Sequence, residues 1–217
     1  MSTLDYILHK FDLSFNDRTR MPIEIPNVGR NTLAQWLYEL DFKTGVEVGV
    51  ATGEYSEILC IANPQMKLFG IDPFRPYRGY NDYTRPATFS KLYENAHRRL
   101  AARLNYEFIK EFSADALRRF EDNFLDFVYI DANHQEPFIT QDITEWYKKL
   151  RPGGILAGHD YARTKARHDT PLNHQVKAAV QAYTSRYDIR PWFILGREAD
   201  NEGLIRDKPR SWMWIKT

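Results

Sequence analysis

Apolar residues along the chain alternate between segments with the two-residue period of strands and segments with the 3.6-residue period of helices. Residues 31–40 predict a leading helix with one apolar face, and Asn31 or Thr32 is its N-cap. Short apolar runs predict strands at 45–50, 67–72, 106–110, 125–130, 155–157, 192–195 and 212–215. Helical spacing predicts helices over 55–62, 88–104, 139–150 and 174–187, with the third one ended by Arg-Pro-Gly-Gly at 151–154.

Strands that alternate with helices of this length are typical of an α/β fold, in which a doubly wound parallel sheet carries helices on both faces. We expect a single domain over residues 1–217, with a helical N-terminal extension at 1–40. Residues 73–90 and 162–174 are predicted insertions on the substrate side, because both follow strands at the edge where such sheets bind ligands.

Charge and cysteine content exclude several classes of partner. The chain has 217 residues, with 30 basic and 29 acidic side chains and a formal net charge of +1. That balance provides no field for gathering nucleic acid or an anionic membrane surface, so neither is expected as a partner. A single cysteine, Cys60, excludes an internal disulfide and suits the reducing cytoplasm, where we expect the protein.

Gly49 and Gly53 bracket the turn between the predicted strand at 45–50 and the helix after it. Glycine there lets the backbone bend sharply and lets a ligand approach the main chain. The spacing is neither G-x-G-x-x-G nor that of a P-loop, so a pyrophosphate ligand is disfavoured. Glu47 places a carboxylate where it attracts a cationic amine or sulfonium and repels phosphate. The alternative is a structural turn with a structural acid.

Acids also follow the next two predicted strands. Asp72 ends the strand at 67–72, where a carboxylate can accept hydrogen bonds from both hydroxyls of a ribose, or can serve as an N-cap or surface acid. Ser113 and Asp115 open the helix after the strand at 106–110, where Ser113 suits an N-cap and Asp115 suits the positive helix end. Contact with an adenine edge is the functional alternative for this pair.

These motifs, together with LRPGGILAGHDY at 150–161, resemble the class I S-adenosylmethionine-dependent methyltransferases over about residues 45–158. The resemblance implies a Rossmann-like fold: a doubly wound, mostly parallel, seven-stranded sheet with a last antiparallel strand, which 211–216 would supply. It implies S-adenosyl-L-methionine as the cofactor. The cofactor-binding residues that it implies are Glu47, Gly49, Gly53, Asp72, Ser113, Asp115 and Asp131.

Acid and imidazole side chains follow the strands at 125–130 and 155–157. Asp131 ends the first strand, and His159 and Asp160 end the second. Adjacent parallel strands lie about 4.8 Å apart, so these side chains can converge and hold a divalent cation that polarises a hydroxyl. His134, one turn further out, has a reference pKa near neutrality and is placed to accept the hydroxyl proton. The alternative is that both histidines only hydrogen-bond to neighbouring backbone.

This cluster resembles the metal-dependent O-methyltransferases of catechols and macrolide sugars. In the macrolide-sugar enzymes an acid ends the fourth strand, a histidine base follows three positions later, and an acidic pair ends the fifth strand. Asp131, His134 and Asp160 match that pattern. His159 departs from the pattern, because it stands where a carboxylate would be expected, and this leaves room for a softer ion than magnesium or for no ion. The resemblance implies His134 as the catalytic base and Asp131 and Asp160 as ligands of a divalent cation, Mg²⁺ or Mn²⁺, with His159 as the third candidate ligand.

The predicted function is methyl transfer to a hydroxyl of a small molecule, such as a sugar or other polyol. A methyltransferase for a macromolecule is one alternative, although Asp-Ala-Asn-His at 131–134 replaces the N-P-P-Y motif expected for amino groups on DNA bases. A noncatalytic module that binds S-adenosylmethionine is the other. The sequence leaves the oligomeric state open, with a homo-oligomer as one outcome.

Overall fold

The computed structural model describes residues 1–77, 85–161, 171–196, 207 and 209–217, without the side chains of residues 171–174. The helices are α1 (Thr3–Lys10), α2 (Arg30–Glu39), α3 (Glu54–Ala62), α4 (Pro86–Leu100), α5 (Ser113–Ala116), α6 (Phe138–Lys149) and α7 (Pro171–Arg186), with a 3-10 turn at Leu117–Arg119. The strands are β1 (Ile23–Ile25), β2 (Thr44–Val48), β3 (Lys67–Ile71), β4 (Tyr106–Ile109), β5 (Leu125–Ile130), β6 (Leu150–Tyr161), β7 (Trp192–Leu195) and β8 (Arg210–Ile215).

The described strands form one sheet in the order β1-β7-β8-β6-β5-β2-β3-β4. All neighbours are parallel except β8, which runs antiparallel to both β6 and β7. The predicted α/β fold with a last antiparallel strand is confirmed. The sheet has eight strands rather than the seven expected, because β1 pairs with β7 and adds an edge. Strand order reverses at β2, which lies between β3 and β5.

Helices cover both faces of the sheet, and the strand sequences show why. Every residue of β5 is buried. Phe127 and Tyr129 belong to a core cluster with α2, α3 and α4, whereas Val128 and Ile130 belong to a second cluster with α6 and α7. Because successive side chains of a strand point to opposite faces, a continuous apolar run fills both layers at once. This double burial fixes the strand ends that carry the site.

Two predicted boundaries differ from the structure because tertiary pairing overrides local signals. Pro152 and the glycines after it were expected to separate helix from strand, yet β6 runs through them. There the amide of Gly153 donates to the carbonyl of Lys216 at 2.7 Å, so the last segment of the chain supplies the pairing. Helix α4 ends at Leu100, and Leu104, predicted as its last apolar contact, is 99% exposed.

The N-terminal 40 residues hold two helices and also β1, so the predicted helical extension contributes to the sheet itself. Neither Asn31 nor Thr32 is the N-cap of α2; Gly29 is, and its amide donates to the Thr32 hydroxyl at 2.7 Å. Most of the two predicted substrate-side insertions, at 78–84 and 162–170, lies outside the described residues. In the described part of the chain, the helices are too short or too polar to cross a membrane.

Candidate active site

The carboxyl ends of β2 and β5 meet at Gly49, where the main chains come into close contact. Gly49 has φ +94°, and its amide donates to the carbonyl of Ile71 at 2.8 Å. A Cβ at this position would lie 2.1 Å from the carbonyl oxygen of Asp131. Only glycine fits both the backbone conformation and the space, so the turn is pinned against the end of β5.

Asp72, at the end of β3, holds the glycine turn from the other side. Its carboxylate accepts hydrogen bonds from the amides of Val50 and Ala51, both at 3.1 Å, and from the amide of Phe74 at 2.8 Å. Burial raises the pKa of Asp72, and these amides oppose the shift. A carboxylate offers about four acceptor positions. Three are occupied, which leaves about one acceptor position of Asp72 for a ligand.

Glu47 is 2% exposed and lies beneath the turn. It shares a short hydrogen bond with the Ser56 hydroxyl, which in turn lies 3.2 Å from the Tyr106 hydroxyl. Burial raises the pKa of Glu47 to about 8. A cationic group placed beside this carboxyl would stabilise its ionised form, which is the electrostatic role predicted for it.

Gly53 has a different reason to be glycine. Its φ is +77°, and a Cβ there would lie 2.8 Å from Leu100 and 3.0 Å from the Cα of Ala96. Gly53 therefore lets α3 approach α4. It lines neither of the two cavities that the described residues form at this rim, so the structure does not bring it to the predicted cofactor site.

The larger cavity, of about 370 Å³, runs from the glycine turn to α5 and α6. Such a volume is in the range of small-molecule sites. Five of the residues that we predicted to bind the cofactor line this cavity: Gly49, Asp72, Ser113, Asp115 and Asp131. At the end away from Asp131 the walls are aromatic, with Tyr77, Phe112 and Phe138 in edge-on contact.

A smaller cavity, of about 190 Å³, lies on the other side of the turn. It shares Gly49, Ala51, Asp131 and Ala132 with the larger one. Its lining also includes Arg30, Glu47, Tyr55 and His134. The two cavities are therefore adjacent spaces on one rim, with Asp131 between them.

Asp131, His134 and Asp160 form the acid-imidazole cluster that we predicted. His134 Nε2 lies 2.8 Å from an Asp160 carboxylate oxygen and 3.5 Å from an Asp131 oxygen. His159 Nδ1 lies 3.6 Å from Asp160 and 3.9 Å from Asp131. Asp160 has φ +62°, a left-handed conformation that is uncommon outside glycine and concentrates at functional sites.

The electrostatics of this cluster follow from its mixed charges. Burial lowers the pKa of His134, but hydrogen bonds to Asp131 and Asp160 outweigh it and raise the pKa to about 10. The pKa of His159 is raised for the same reason. Burial raises the pKa of Asp160, but the two imidazoles outweigh it and hold the pKa well below its usual range. Both imidazoles therefore lie within ion-pair distance of the two carboxylates.

The same donors fit a divalent cation. One ligand atom each from Asp131, His134 and Asp160 lie within 4.8 Å of one another. Neighbouring ligands around an octahedral ion with bonds of about 2.1 Å are separated by roughly 3 Å, close to the shorter distances in the cluster. The compact set contains His134, which we predicted as the base, whereas His159, which we predicted as a ligand, lies slightly further away.

Ser113 and Asp115 open α5 as expected, and Asp115 lies in its first turn as predicted, but Ser113 is not the N-cap. The N-cap is Phe112, with no side-chain cap bond. The Ser113 hydroxyl instead makes a short hydrogen bond with Asp142 and accepts one from the indole of Trp146 at 2.8 Å. Asp115 lines the larger cavity, although its side chain is 56% exposed.

Sequence reasoning missed two charged residues of the rim. Arg30 lies 3.4 Å from Asp131 and stacks over the Tyr55 ring at 5.1 Å. Asp142 is 6% exposed and lines the larger cavity. Both occupy polar positions at helical spacing, and such positions usually face solvent. The only available signal was an acid four residues before Trp146, too weak to distinguish from an ordinary surface position.

Comparisons with known proteins agree with this architecture. A family model described as a methyltransferase domain matches residues 46–161. No curated protein matches the sequence. Among solved structures, the chain is similar to the O-methyltransferase TomG from Streptomyces achromogenes, involved in tomaymycin synthesis and in complex with SAM. The identity is 19% and the TM-score 0.58, over 98% of this chain and 87% of that chain.

A second similar structure is the O-methyltransferase from Bacillus cereus in complex with SAH, with 14% identity and a TM-score of 0.60 over 99% of this chain and 90% of that chain. A third is the SAH-bound methyltransferase PaMTH1 from Podospora anserina, with 12% identity and a TM-score of 0.58 over 87% of this chain and 78% of that chain. At these identities the likeness shows a shared fold.

Proposed function

Because this chain belongs to the methyltransferase domain family, we propose that it is an S-adenosylmethionine-dependent enzyme that methylates a hydroxyl of a small molecule. Sugars and other polyols are the substrate class that we expect. Two proteins with a similar fold are O-methyltransferases, one in complex with SAM and one with SAH, and this supports an oxygen atom as the methyl acceptor. The single observation that carries the proposal is the position of Asp131, which lines both cavities and also contacts His134.

The larger cavity is the proposed nucleoside site, and the smaller one the proposed methionine site. Asp72 would accept one ribose hydroxyl, and the aromatic end would enclose the adenine. Arg30 is charged in the smaller cavity and would hold the carboxylate of the methionine portion, whereas Glu47 would ionise beside the amine and hold it. When bound, S-adenosylmethionine supplies a methyl group on a sulfonium, from which it transfers in line to the acceptor oxygen.

The acid-imidazole cluster is the proposed acceptor site. Asp131, Asp160 and His159 offer the oxygen and nitrogen donors that would hold a divalent cation, Mg²⁺ or Mn²⁺, which would lower the pKa of a bound hydroxyl. We propose His134 as the base. The two carboxylates beside it raise the pKa of its imidazole to about 10. His134 can therefore accept the hydroxyl proton only after those carboxylates turn to a cation or to the acceptor itself.

Much of the rate would come from alignment, because holding two reactants in an attack geometry removes a large part of the entropic barrier. The rim is suited to this role because the main chains of β2 and β5 touch at Gly49 and fix the distance between the two cavities. We further propose that residues 1–217 form one domain that contains all of these groups. Cytoplasmic location and a small-molecule partner remain part of the same proposal.

The test is a methyl-transfer assay with labelled S-adenosylmethionine against a panel of polyols, catechols and amines. We expect transfer to a hydroxyl acceptor, and a rate about 10² to 10⁴ lower in His134→Ala, the usual range for a general base. His9→Ala, an exposed histidine on α1, is the matched control and should leave the rate unchanged. Transfer to amines alone, or a native rate in His134→Ala at saturating acceptor, would contradict the proposal.

The cation is tested by chelation in the same assay. We expect activity to fall after exhaustive treatment with a chelator and to return on addition of Mg²⁺ or Mn²⁺. Asp160→Asn should raise the cation concentration needed to restore half of the activity, because it removes one of the charged ligands. Full activity in the presence of the chelator would show that the cluster works without a metal.

A further inference from the structure

Asp142 is a buried acid at the far end of the larger cavity, where no role has yet been assigned to it. It lies on α6 and is 6% exposed, yet it lines the cavity. A carboxyl group with so little water around it must find hydrogen-bond partners in the protein or in a ligand. Among the described residues, the Ser113 hydroxyl is its one hydrogen-bond partner.

The direction of the hydrogen bonds in this corner is fixed by Trp146. The indole N–H can only donate, and it donates to Ser113 Oγ at 2.8 Å. With that acceptor position filled, the Ser113 hydroxyl directs its own proton to Asp142 Oδ1. Oδ1 is therefore an acceptor held in place by the Ser113 hydroxyl, which is itself held by the Trp146 indole. Oδ2 is the oxygen that can accept a hydrogen bond from a ligand in the cavity.

The surroundings of Asp142 suit a flat heteroaromatic ring. Phe112 and Phe138 line this end of the cavity, and the Tyr77 ring packs against both, with centroids 5.2 and 6.2 Å away. Aromatic walls contact the faces of a planar ring, so the polar atoms on the edge of the ring must form hydrogen bonds with polar side chains that lie in the plane of the ring. Of the acids at this end, Asp142 is buried, whereas the Asp115 side chain is 56% exposed and lies 4.0 Å from Arg118.

We propose that Asp142 accepts a hydrogen bond from the exocyclic amine of adenine and thereby selects a 6-aminopurine nucleoside in this cavity. The inference rests on the proposed function, which places the cofactor's nucleoside here. It assigns adenine recognition to α6, with Ser113 and Trp146 as positioning residues that orient the carboxyl group. Asp115 becomes a solvent-facing neighbour.

The chemistry of the corner supports this assignment. Burial raises the pKa of Asp142 to about 7, and the hydrogen bond with Ser113 opposes the shift only in part. An N–H donor from a ligand would supply that stabilisation, and a site built to receive a hydrogen bond rejects an analogue that lacks the donor. Asp142 Oδ2, which accepts no hydrogen bond from the described residues, is thus an acceptor available to the amine of an adenine stacked in this cavity.

The test compares two ligands by calorimetry at about pH 8.5, where a carboxyl with a pKa near 7 is mostly ionised. One is S-adenosylhomocysteine, and the other is its analogue with hydrogen in place of the 6-amino group. The wild-type protein should bind the amino compound about 10- to 100-fold more tightly, the range for a hydrogen bond to a charged group. Asp142→Ala should bind both compounds equally.

Asp142→Asn gives the sharper result. The Ser113 hydroxyl would donate to the amide oxygen, which turns the amide NH₂ towards the ligand and sets two donors against each other. We therefore expect this variant to lose or invert the preference for the amino compound. Asp115→Asn is the matched comparison and should keep the wild-type ratio, because that side chain is mostly exposed.

The outcomes separate this inference from the proposed function. Failure of the wild-type protein to bind S-adenosylhomocysteine would contradict the proposed function. Binding of both compounds with equal affinity by the wild-type protein would overturn the role of Asp142 without any variant. So would a wild-type ratio in a folded Asp142→Ala protein, or loss of the ratio in Asp115→Asn. A structural role alone would weaken both ligands together and leave the ratio unchanged.

Discussion

Replacing Gly49 with alanine tests whether the close contact of β2 and β5 holds the site together. An alanine Cβ would lie 2.1 Å from the Asp131 carbonyl oxygen, whereas real Cβ contacts are not shorter than 3.0 Å. The strand ends must therefore separate by about 0.9 Å, the difference between these two distances. The left-handed backbone costs a non-glycine residue about 1–2 kcal/mol. Overpacking adds about 1–3 kcal/mol. We expect Gly49→Ala to lower the free energy of unfolding by about 2–5 kcal/mol.

The same displacement should weaken ligand binding, because Gly49 and Asp131 line both cavities. A misplacement of about 1 Å can cost on the order of 10²-fold in the rate of a reaction that depends on alignment. Urea unfolding followed by circular dichroism gives the stability. Calorimetry with S-adenosylhomocysteine below the unfolding transition gives the affinity, which should fall at least tenfold.

Gly45→Ala is the matched control, on the same strand. Its Cβ would meet Met66 Sδ at 3.2 Å and Leu68 Cδ1 at 3.4 Å. Both atoms lie in the outer part of flexible side chains, so the cost should stay below about 1 kcal/mol and the affinity should not change. Equal urea midpoints for the two variants, together with wild-type affinity in Gly49→Ala, would refute the role of this contact.

Three further substitutions test the buried acids. Because burial raises the pKa of Glu47 from 4.5 to about 8, its contribution to stability is complete below pH 4.5 and is lost as the pH rises towards 8. Glu47→Gln should therefore make the urea midpoint less dependent on pH across that window. An unchanged dependence of the midpoint on pH would show that burial does not raise the pKa of Glu47. Burial raises the pKa of Asp126, but main-chain amides and Arg151 outweigh it and lower the pKa, so its contribution is present above the unfolded value and lost in acid. Asp126→Asn should cost about 1–3 kcal/mol at pH 7 and less at pH 3, and equal losses at both pH values in urea titrations would argue against this ion pair. Asp72→Ala should weaken S-adenosylhomocysteine about tenfold or more in calorimetry, because the turn and the ribose both lose an acceptor; native affinity would remove Asp72 from the site.

The parts of the fold that could be predicted depend on short-range periodicity. The strand at Leu125–Ile130 has the length and composition of a fully buried strand, and the structure gives the same bounds. That placement, with the rule that parallel strand ends meet at one edge, was enough to bring Asp131 and Asp160 together. What could not be predicted was β1, a run of three residues whose strand conformation depends on pairing with β7.

The role of Ser113 shows why site residues are harder to predict than strands. A serine before a helix is usually read as an N-cap, because the neighbouring amides are the partners visible in the sequence. Its actual partners, Asp142 and Trp146, lie 29 and 33 residues away on α6. Two side chains on one helix face define this corner, and their spacing is that of any amphipathic helix.

The two acids at the ends of β5 also differ in role because of their tertiary contacts. Asp126, at the start of the strand, accepts from the amides of Lys43 and Thr44 and from Arg151 at 2.5 Å. Those donors belong to fixed main chain and a long side chain, so its acceptor positions are filled and it can only stabilise the fold. Asp131, just past the other end, faces two imidazoles and Arg30 at 3.4 to 3.9 Å. These looser contacts leave acceptor positions for a cation or a hydroxyl. Which acid stabilises and which binds is therefore decided by the donors that the fold brings to each end, and the catalytic role proposed for this rim requires that Asp131 exchange partners while Asp126 keeps its own.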